Sequence, residues 1–431
     1  MGEGHTHRRP IPDTSVLVVG AGMIGVCVAL DLQSRGARVT LLDRCAPGRE
    51  TSFGNAGVLA RSSLVPFNNP DLFRLLPRLL GRRQAALNYD ARYLAGNLRW
   101  AISFLANARS VSFAKTATAL NDLIELSIPA HKNLIARCGL GDLLSERGWM
   151  FLYRSETGFA RARLLRQILD QFDVANNVLD QSSLQSIEPS LRPIFHKALW
   201  VKDSSSVNNP GELVSGYARQ FVADGGTLKM GEVSALHGGD VPGVTLKSGE
   251  RIKVDHCTLC LGPWSKALLE KAGYRVPMAF ERGYHRHFLG SADMETTAQL
   301  GRPVYDTSGG YVLSPTQQGL RLTTGVELAA LNAPQNHQQL ELAEIAARQA
   351  IDLGERGDGP TWMGARPTFP DSRPCIGHLP HSPGVSVAFG HHHIGFSTAP
   401  GTALLLGDLI EGRKPSIDPA PFRPGRHLSR R

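Results

Sequence analysis

The chain has 431 residues, 42% hydrophobic and 20% charged, and a formal net charge of +9 at pH 7. That balance excludes a disordered polymer, and the length is enough for two cores. No apolar run reaches the roughly 18 residues of a spanning helix, and no nucleic-acid motif accompanies the positive charge, so charge alone does not indicate that partner.

The polar stretch 1–13 has no apolar centre, does not read as a signal peptide and is expected to be a disordered tail. An apolar strand from Ser15 then runs into Gly20-Ala21-Gly22-Met23-Ile24-Gly25, which opens a helix. A second strand ends at Asp43, 23 residues after Gly20. Strand, Gly-x-Gly-x-x-Gly turn, helix, strand and terminal acid in this order are the fingerprint of a dinucleotide-binding βαβ unit. Gly20 permits the tight turn, Gly22 lets backbone approach a pyrophosphate, and Gly25 lets helix and strand pack closely. The N–H groups of the helix start, at Met23 and Ile24, face the phosphates. Asp43 is placed to accept hydrogen bonds from a ribose.

Arg44 follows, then an irregular loop, Glu50-Thr51-Ser52-Phe53-Gly54-Asn55-Ala56-Gly57-Val58, rich in small and hydrogen-bonding residues. The stretch Arg92 to Leu105 mixes arginine with aromatic and apolar residues, as an interfacial helix or a helix packed on its neighbours would. Apolar residues three and four apart predict helices from Lys115 to Cys138 and from Glu156 to Phe172. Asn208-Asn209-Pro210 opens a further helix that stops at Gly225-Gly226, before Gly231-Glu232-Val233. An apolar strand ends in Cys260-Leu261-Gly262-Pro263-Trp264-Ser265. Cys257-x-x-Cys260 lies inside that strand with no second Cys pair or suitably spaced His, so it reads as structural. Strands are predicted at Arg282-Gly283-Tyr284, around Tyr311-Val312-Leu313 and at Leu320 to Thr324, then a helix near His337 to Leu353. The C-terminal third carries Gly364-Ala365-Arg366-Pro367, a strand from Val385 to Phe389, then Gly390-His391-His392-His393-Ile394-Gly395-Phe396-Ser397 and a helix from Pro400 to Glu411. Three consecutive histidines cannot all aim at one ion without unusual backbone, so no metal is assigned. The Pro/Arg-rich end from Pro415 reads as a second disordered tail.

The first motif, the Glu-Thr-Ser-x-x-Asn-Ala-Gly loop, the Gly-x-Arg-Pro element and the Gly-His-x-x-x-Gly element resemble, in that order, the D-amino-acid oxidase/dehydrogenase superfamily of flavoproteins. The loop is most similar to that of bacterial FAD-dependent D-amino-acid dehydrogenases. Leu184-x-x-x-Glu188-Pro189-x-Leu191 and the Gly262-Pro263-Trp264-Ser265 strand end resemble further family elements. The resemblance implies FAD as cofactor, with Arg44, Ser52, Asn55, Gly57 and Val58 along it and Val233 against the adenine. Gly262 and the run His392, His393, Ile394, Gly395, Phe396 and Ser397 would close on the flavin. Cysteine and leucine at positions 260 and 261 replace smaller family residues.

The implied fold is α/β (α+β): a Rossmann-like FAD-binding domain interleaved with a substrate domain of mixed β-sheet plus helices. The FAD-binding parts are 1–62, 195–275 and 362–415, the substrate parts 63–194 and 276–361, and 416–431 is tail. A guanidinium fork suits a substrate carboxylate, and Arg366 is the candidate, unless it pairs with an acid such as Asp371. Tyr311 is a second carboxylate-binding candidate, with strand packing as its competing explanation; His391 and Tyr284 complete the set. The implied reaction is hydride transfer from the Cα of a D-amino acid, D-proline or hydroxy-D-proline type included, to flavin N5, giving an imino acid. Two alternatives stay open: a glycine- or sarcosine-type oxidase using oxygen, and a non-catalytic flavin-binding subunit. Expected partners are the amino-acid substrate and a quinone or other electron acceptor. A cytoplasmic location, with peripheral contact at the inner face of the cytoplasmic membrane, goes with that acceptor.

Overall fold

A computed structural model describes residues 11–74, 86–289 and 300–430; most of the expected N-terminal tail, 1–10, lies outside them. Its centre is a six-stranded sheet ordered Thr227–Met230, Arg38–Asp43, Ser15–Val19, His256–Leu259, Val385–Phe389 and Cys375–His378. The first five strands run parallel and the last is antiparallel. Val16 to Val19 are buried, as befits a parallel strand covered on both faces. The helices Met23–Ser34, Pro210–Ala223 and Gly395–Glu411 supply residues to the core on one face.

The helix expected to begin at Pro400 begins at Gly395 instead, with Pro400 inside it. A proline in that position leaves the carbonyl four residues back without its helical donor. Here that carbonyl, on Phe396, accepts a 2.7 Å hydrogen bond from Nε2 of buried His131. The next amide, on Gly401, donates to Ser127 Oγ at 3.1 Å. A neighbouring helix, Ser110–Arg137, therefore satisfies the groups that the proline disturbs, and the helix continues.

The second large sheet has ten strands among the described residues. Its spine runs Leu87–Tyr89, Val326–Leu328, Ala279–Phe288, Gly319–Thr324, Tyr311–Thr316, Val304–Asp306, Trp149–Tyr153, Lys197–Val201 and Asn176–Asp180, and Trp362–Thr368 also pairs with Ala279–Phe288. Lys197–Val201 and Trp362–Thr368, expected within the dinucleotide-binding segments, thus hydrogen-bond in the larger sheet. The chain returns to the six-stranded sheet only after each of them. Helix Gln338–Ala350 covers one face, where Leu340, Ala343 and Ala347 pack against Leu313 and Leu322.

Two expectations are corrected. The helix expected over Glu156 to Phe172 is two, Glu156–Ala160 and Arg163–Gln171. The C-terminal tail is packed, with Phe422 and Leu428 buried and Ser429–Arg430 paired to Tyr274–Arg275. Its anchor is buried Asp371, which accepts from Arg426 Nε at 2.7 Å and has His427 Nε2 3.0 Å away. Burial alone would raise the Asp371 carboxyl, but Arg426 and His427 outweigh it and hold the group well below the usual carboxylate range. A depressed folded value adds stability that is complete above the ordinary aspartate value of about 4 and is lost as pH falls below it. Asp371→Asn should therefore destabilise the protein by about 2 kcal/mol at neutral pH and by less near pH 3; equal losses in thermal melts at both pH values would refute this linkage.

Candidate active site

A cavity of about 700 Å³ lies between the two sheets, lined by residues of both. On the six-stranded side it contains Gly20, Gly22, Met23, Ile24 and Asp43, then Arg44, Ser52, Asn55 and Val58. Val233, Gly262, His391, His392, His393, Gly395, Phe396 and Ser397 complete that wall. Residues separated by more than 370 positions in sequence are thus brought to one surface.

The three fingerprint glycines differ in what surrounds them. Gly20 has φ +109°, a conformation that side chains rarely adopt. A Cβ on Gly25 would stand 1.7 Å from the Gly20 carbonyl oxygen, so Gly25 serves the contact between helix and turn and does not line the cavity. A Cβ on Gly22 would meet only Ser52 Oγ, at 3.5 Å. No described residue requires glycine at 22; the space a side chain would take there is the cavity itself. The helix start has no side-chain cap on Gly22, and Ser52 Oγ accepts from Met23 N at 3.1 Å. These observations fit a pyrophosphate passing over the turn.

Asp43 sits beside this turn, its Oδ2 accepting from Ala21 N at 2.6 Å and its Oδ1 from Cys45 N at 2.9 Å. Each oxygen retains a lone pair for a ligand hydroxyl. Arg44 lies over the Trp264 ring at 4.4 Å and pairs with Glu50. Asn55 Oδ1 accepts from Gly57 N at 2.8 Å, which folds the loop on itself. Gly57 does not line the cavity; it has φ +77°, and a Cβ there would stand 2.2 Å from Val207 O. The loop is held from the larger sheet by Arg321, which donates to Phe53 O and Asn55 O, and by His285, whose Nδ1 lies 3.3 Å from Gly54 O. His285 stacks on Trp362, which lines the cavity.

The histidine run separates into three settings. His391 Nε2 lies 3.0 Å from Thr402 Oγ1, and burial pushes its imidazole down to about 3, so it is neutral at physiological pH. His392, at φ +36°, has its Nδ1 3.0 Å from His393 Nδ1. Ile394 turns away into the core with Leu64 and Phe113. The helix start at Gly395 has no side-chain cap, and Ser397 Oγ bridges Val58 O and Ala60 N.

On the opposite wall, Arg366 lines the cavity. Its guanidinium makes one hydrogen bond, NH1 to Gly325 O at 3.2 Å, and no ion pair among the described residues. Burial lowers it from its ordinary value, with Glu281 pulling against that. The pairing with Asp371 does not occur, because Asp371 is committed to Arg373, Arg426 and His427.

The two tyrosine candidates are placed differently. Tyr284 is buried against helix Gln338–Ala350, its hydroxyl donating to Glu327 Oε2 at 2.6 Å, and it does not line the cavity. Tyr311 borders the cavity but packs in the same rear cluster, cross-strand from Thr324 and Asp306. Strand alternation decides this: Val312 shares the front face with its partners Tyr305 and Thr323, so Tyr311 has the back. Its hydroxyl is buried at the rear, beside the Asp306–Arg154 ion pair. Tyr311→Phe should accordingly change kcat/KM less than about threefold and stability by under about 1 kcal/mol; a loss above tenfold in steady-state assays would return it to the substrate site.

Tyr305, Trp149 and Phe151 form an aromatic part of the cavity wall, with Phe151 edge-on to Tyr305 at 5.8 Å. Sequence reasoning passed over these residues, and also Trp362 and Glu281. Only the cross-strand register brings them to one face.

The sequence pattern of the DAO family, described as FAD dependent oxidoreductase, matches residues 15–409. The chain is 31% identical over 423 residues to a D-amino-acid oxidase of Bradyrhizobium diazoefficiens, covering 96% of this chain and 99% of that protein. It is 27% identical over 412 residues to a D-amino acid dehydrogenase of Dechloromonas aromatica, covering 93% and 97%. Its fold is that of glycine oxidase from Geobacillus kaustophilus, with a TM-score of 0.72 at 20% identity over 96% of this chain and 100% of that one. The chain belongs to the DAO family of FAD-dependent oxidoreductases, and its cofactor is FAD.

Proposed function

We propose that this enzyme oxidises a D-amino acid with an apolar side chain, a D-proline-type ring included, to the corresponding imino acid. The observation that carries the reading is Arg366, a cavity-facing guanidinium with no acid committed to it. Gly20, Gly22, Met23 and Ile24 would hold the FAD pyrophosphate, and Asp43 the ribose. Arg44, Ser52, Asn55, Val58, Val233 and Gly262 would follow the cofactor, and the helix start at Gly395 to Ser397, with His392 and His393, would meet the flavin. FAD, when bound, would supply the hydride acceptor for the Cα–H. Arg366 fixes the substrate carboxylate with two parallel N–H donors, which sets which face of Cα meets the cofactor. Trp149, Phe151, Tyr305 and Val312 surround the substrate side chain and exclude water. His391, held neutral on Thr402, supports the site as a hydrogen-bonding group and brings no charge.

A quinone-type acceptor accompanies this reading. None of the described helices is long and apolar enough to cross a membrane. Leu98 and Ile102, 59% and 60% exposed on the helix Leu98–Asn107, offer a surface for peripheral contact with an anionic membrane. Anaerobic mixing with D- and L-amino acids, read as bleaching of the bound flavin, tests the proposal. Reduction by apolar D-amino acids is expected; reduction by L-amino acids only, or by none, overturns it. Rapid stoichiometric hydrogen peroxide in air would overturn the acceptor.

A further inference from the structure

Six carboxylates are buried among the described residues: Glu188, Glu281, Asp306, Glu327, Glu344 and Asp371. Five are paired with an arginine: Glu188 with Arg302, Asp306 with Arg154, Glu327 with Arg282, Glu344 with Arg286, and Asp371 with Arg426. Glu281 is the exception. It is 3% exposed, its Oε2 has no hydrogen-bond partner, and it lies in the wall of the cavity. A buried carboxylate with no ion pair is costly to keep charged, even with the Thr368 hydroxyl beside it. Burial accordingly pushes this carboxyl up, against the pull of Arg366.

Glu281 and Arg366 are directly opposite one another where Ala279–Phe288 pairs with Trp362–Thr368. Side chains so placed leave one face of the sheet about 5 Å apart at Cβ. The two attract one another yet form no ion pair, and the guanidinium retains donors beyond its single bond to Gly325 O. A cation and an anion that form no ion pair among the described residues, side by side on a cavity wall, match a ligand that carries both charges on one carbon. A zwitterionic amino acid is such a ligand.

We propose that Glu281 receives the substrate ammonium and takes one proton from it, while Arg366 holds the carboxylate. The proposal rests on the reading of this cavity as an amino-acid site. In the step, one N–H bond of R–NH3+ breaks and an O–H bond forms on Glu281. The products are a neutral amine and a carboxylic acid, and nothing is oxidised or reduced. The nitrogen lone pair so freed is what Cα–H removal needs, since an ammonium cannot stabilise the loss of hydride beside it. Burial that raises the carboxyl makes Glu281 a better proton acceptor than an exposed glutamate.

The test uses the FAD-loaded enzyme and its Glu281→Gln and Glu281→Asp variants. Two ligands are compared: the best D-amino acid, by the rate and saturation of anaerobic flavin reduction, and benzoate, which has a carboxylate and no amine, by its perturbation of the flavin spectrum. Glu281→Gln should slow reduction at least tenfold and weaken apparent amino-acid binding at least tenfold. It should bind benzoate as tightly as the wild type or more tightly, because a negative charge near Arg366 is gone. Glu281→Asp, which keeps the carboxylate, should recover most of the reduction rate. Equal weakening of both ligands would make Glu281 a support for Arg366 and overturn the proposal. So would unchanged amino-acid kinetics, an aspartate variant no better than glutamine, or losses confined to substrates with cationic side chains. A wild-type enzyme that no D-amino acid reduces would defeat the underlying reading instead.

Discussion

Replacing Arg366 by lysine should lower kcat/KM for the best D-amino acid by roughly 30- to 1,000-fold, about 2–4 kcal/mol, while FAD stays bound. The arginine reaches the cavity from Trp362–Thr368, and its planar fork can give two parallel hydrogen bonds to a carboxylate. Lysine keeps the charge but offers a point donor on a flexible stem. A variant that still binds a carboxylate but holds it loosely loses orientation of Cα–H, so kcat should fall along with affinity. The wall proposed to hold FAD is centred on the other sheet, which is why the flavin spectrum should persist. Unchanged kcat/KM in steady-state assays with a dye acceptor would place the carboxylate elsewhere. Loss of flavin together with activity would show that Arg366 holds the cofactor or the fold.

The six-stranded sheet was legible because its signals are local. The Gly20 to Gly25 turn, the acid at Asp43 and the helix from Pro210 each lie within a few residues of the strand they serve. The substrate wall was not, because its chemistry is set by pairings between distant segments. Tyr311 had the right residue type in a strand context. Register with Val304–Asp306 and Gly319–Thr324 turned it to the rear, and gave the front to Val312, Tyr305 and Thr323. Tyr284 failed for the same reason: it is one residue out of phase with His285, whose partners are Thr323 and Trp362 on the front. Glu281 has the phase of His285, and a two-residue count back from Gly283 was the one sequence signal that would have found it. The early start of helix Gly395–Glu411 was hidden by Pro400, because its compensation comes from His131 and Ser127, far away in the chain. The packed tail was misread because Pro and Arg suggest solvent, whereas Arg426 is drawn inward by Asp371.

Gly22→Val should give a folded protein without FAD. The backbone at Gly22 has φ −73° and ψ 179°, an extended conformation open to valine. Its Cβ would meet protein only at Ser52 Oγ, 3.5 Å away, so the apo fold has no reason to fail. The branched side chain must instead occupy the cavity above the helix start, where backbone N–H groups would meet the pyrophosphate. Clearing it would cost about 3 kcal/mol or more, upwards of 100-fold in FAD affinity. The matching control is Gly25→Ala, whose smaller added group stands 1.7 Å from the Gly20 carbonyl oxygen and should damage the fold itself. The two variants separate by circular dichroism, thermal melting of the apo form and visible flavin absorbance. Gly22→Val should melt near the wild-type apoprotein and be colourless; Gly25→Ala should melt earlier. A yellow Gly22→Val enzyme with one FAD per chain would show that the pyrophosphate does not pass over this turn, and the placement of every cofactor residue from Met23 to Val58 would have to be redrawn.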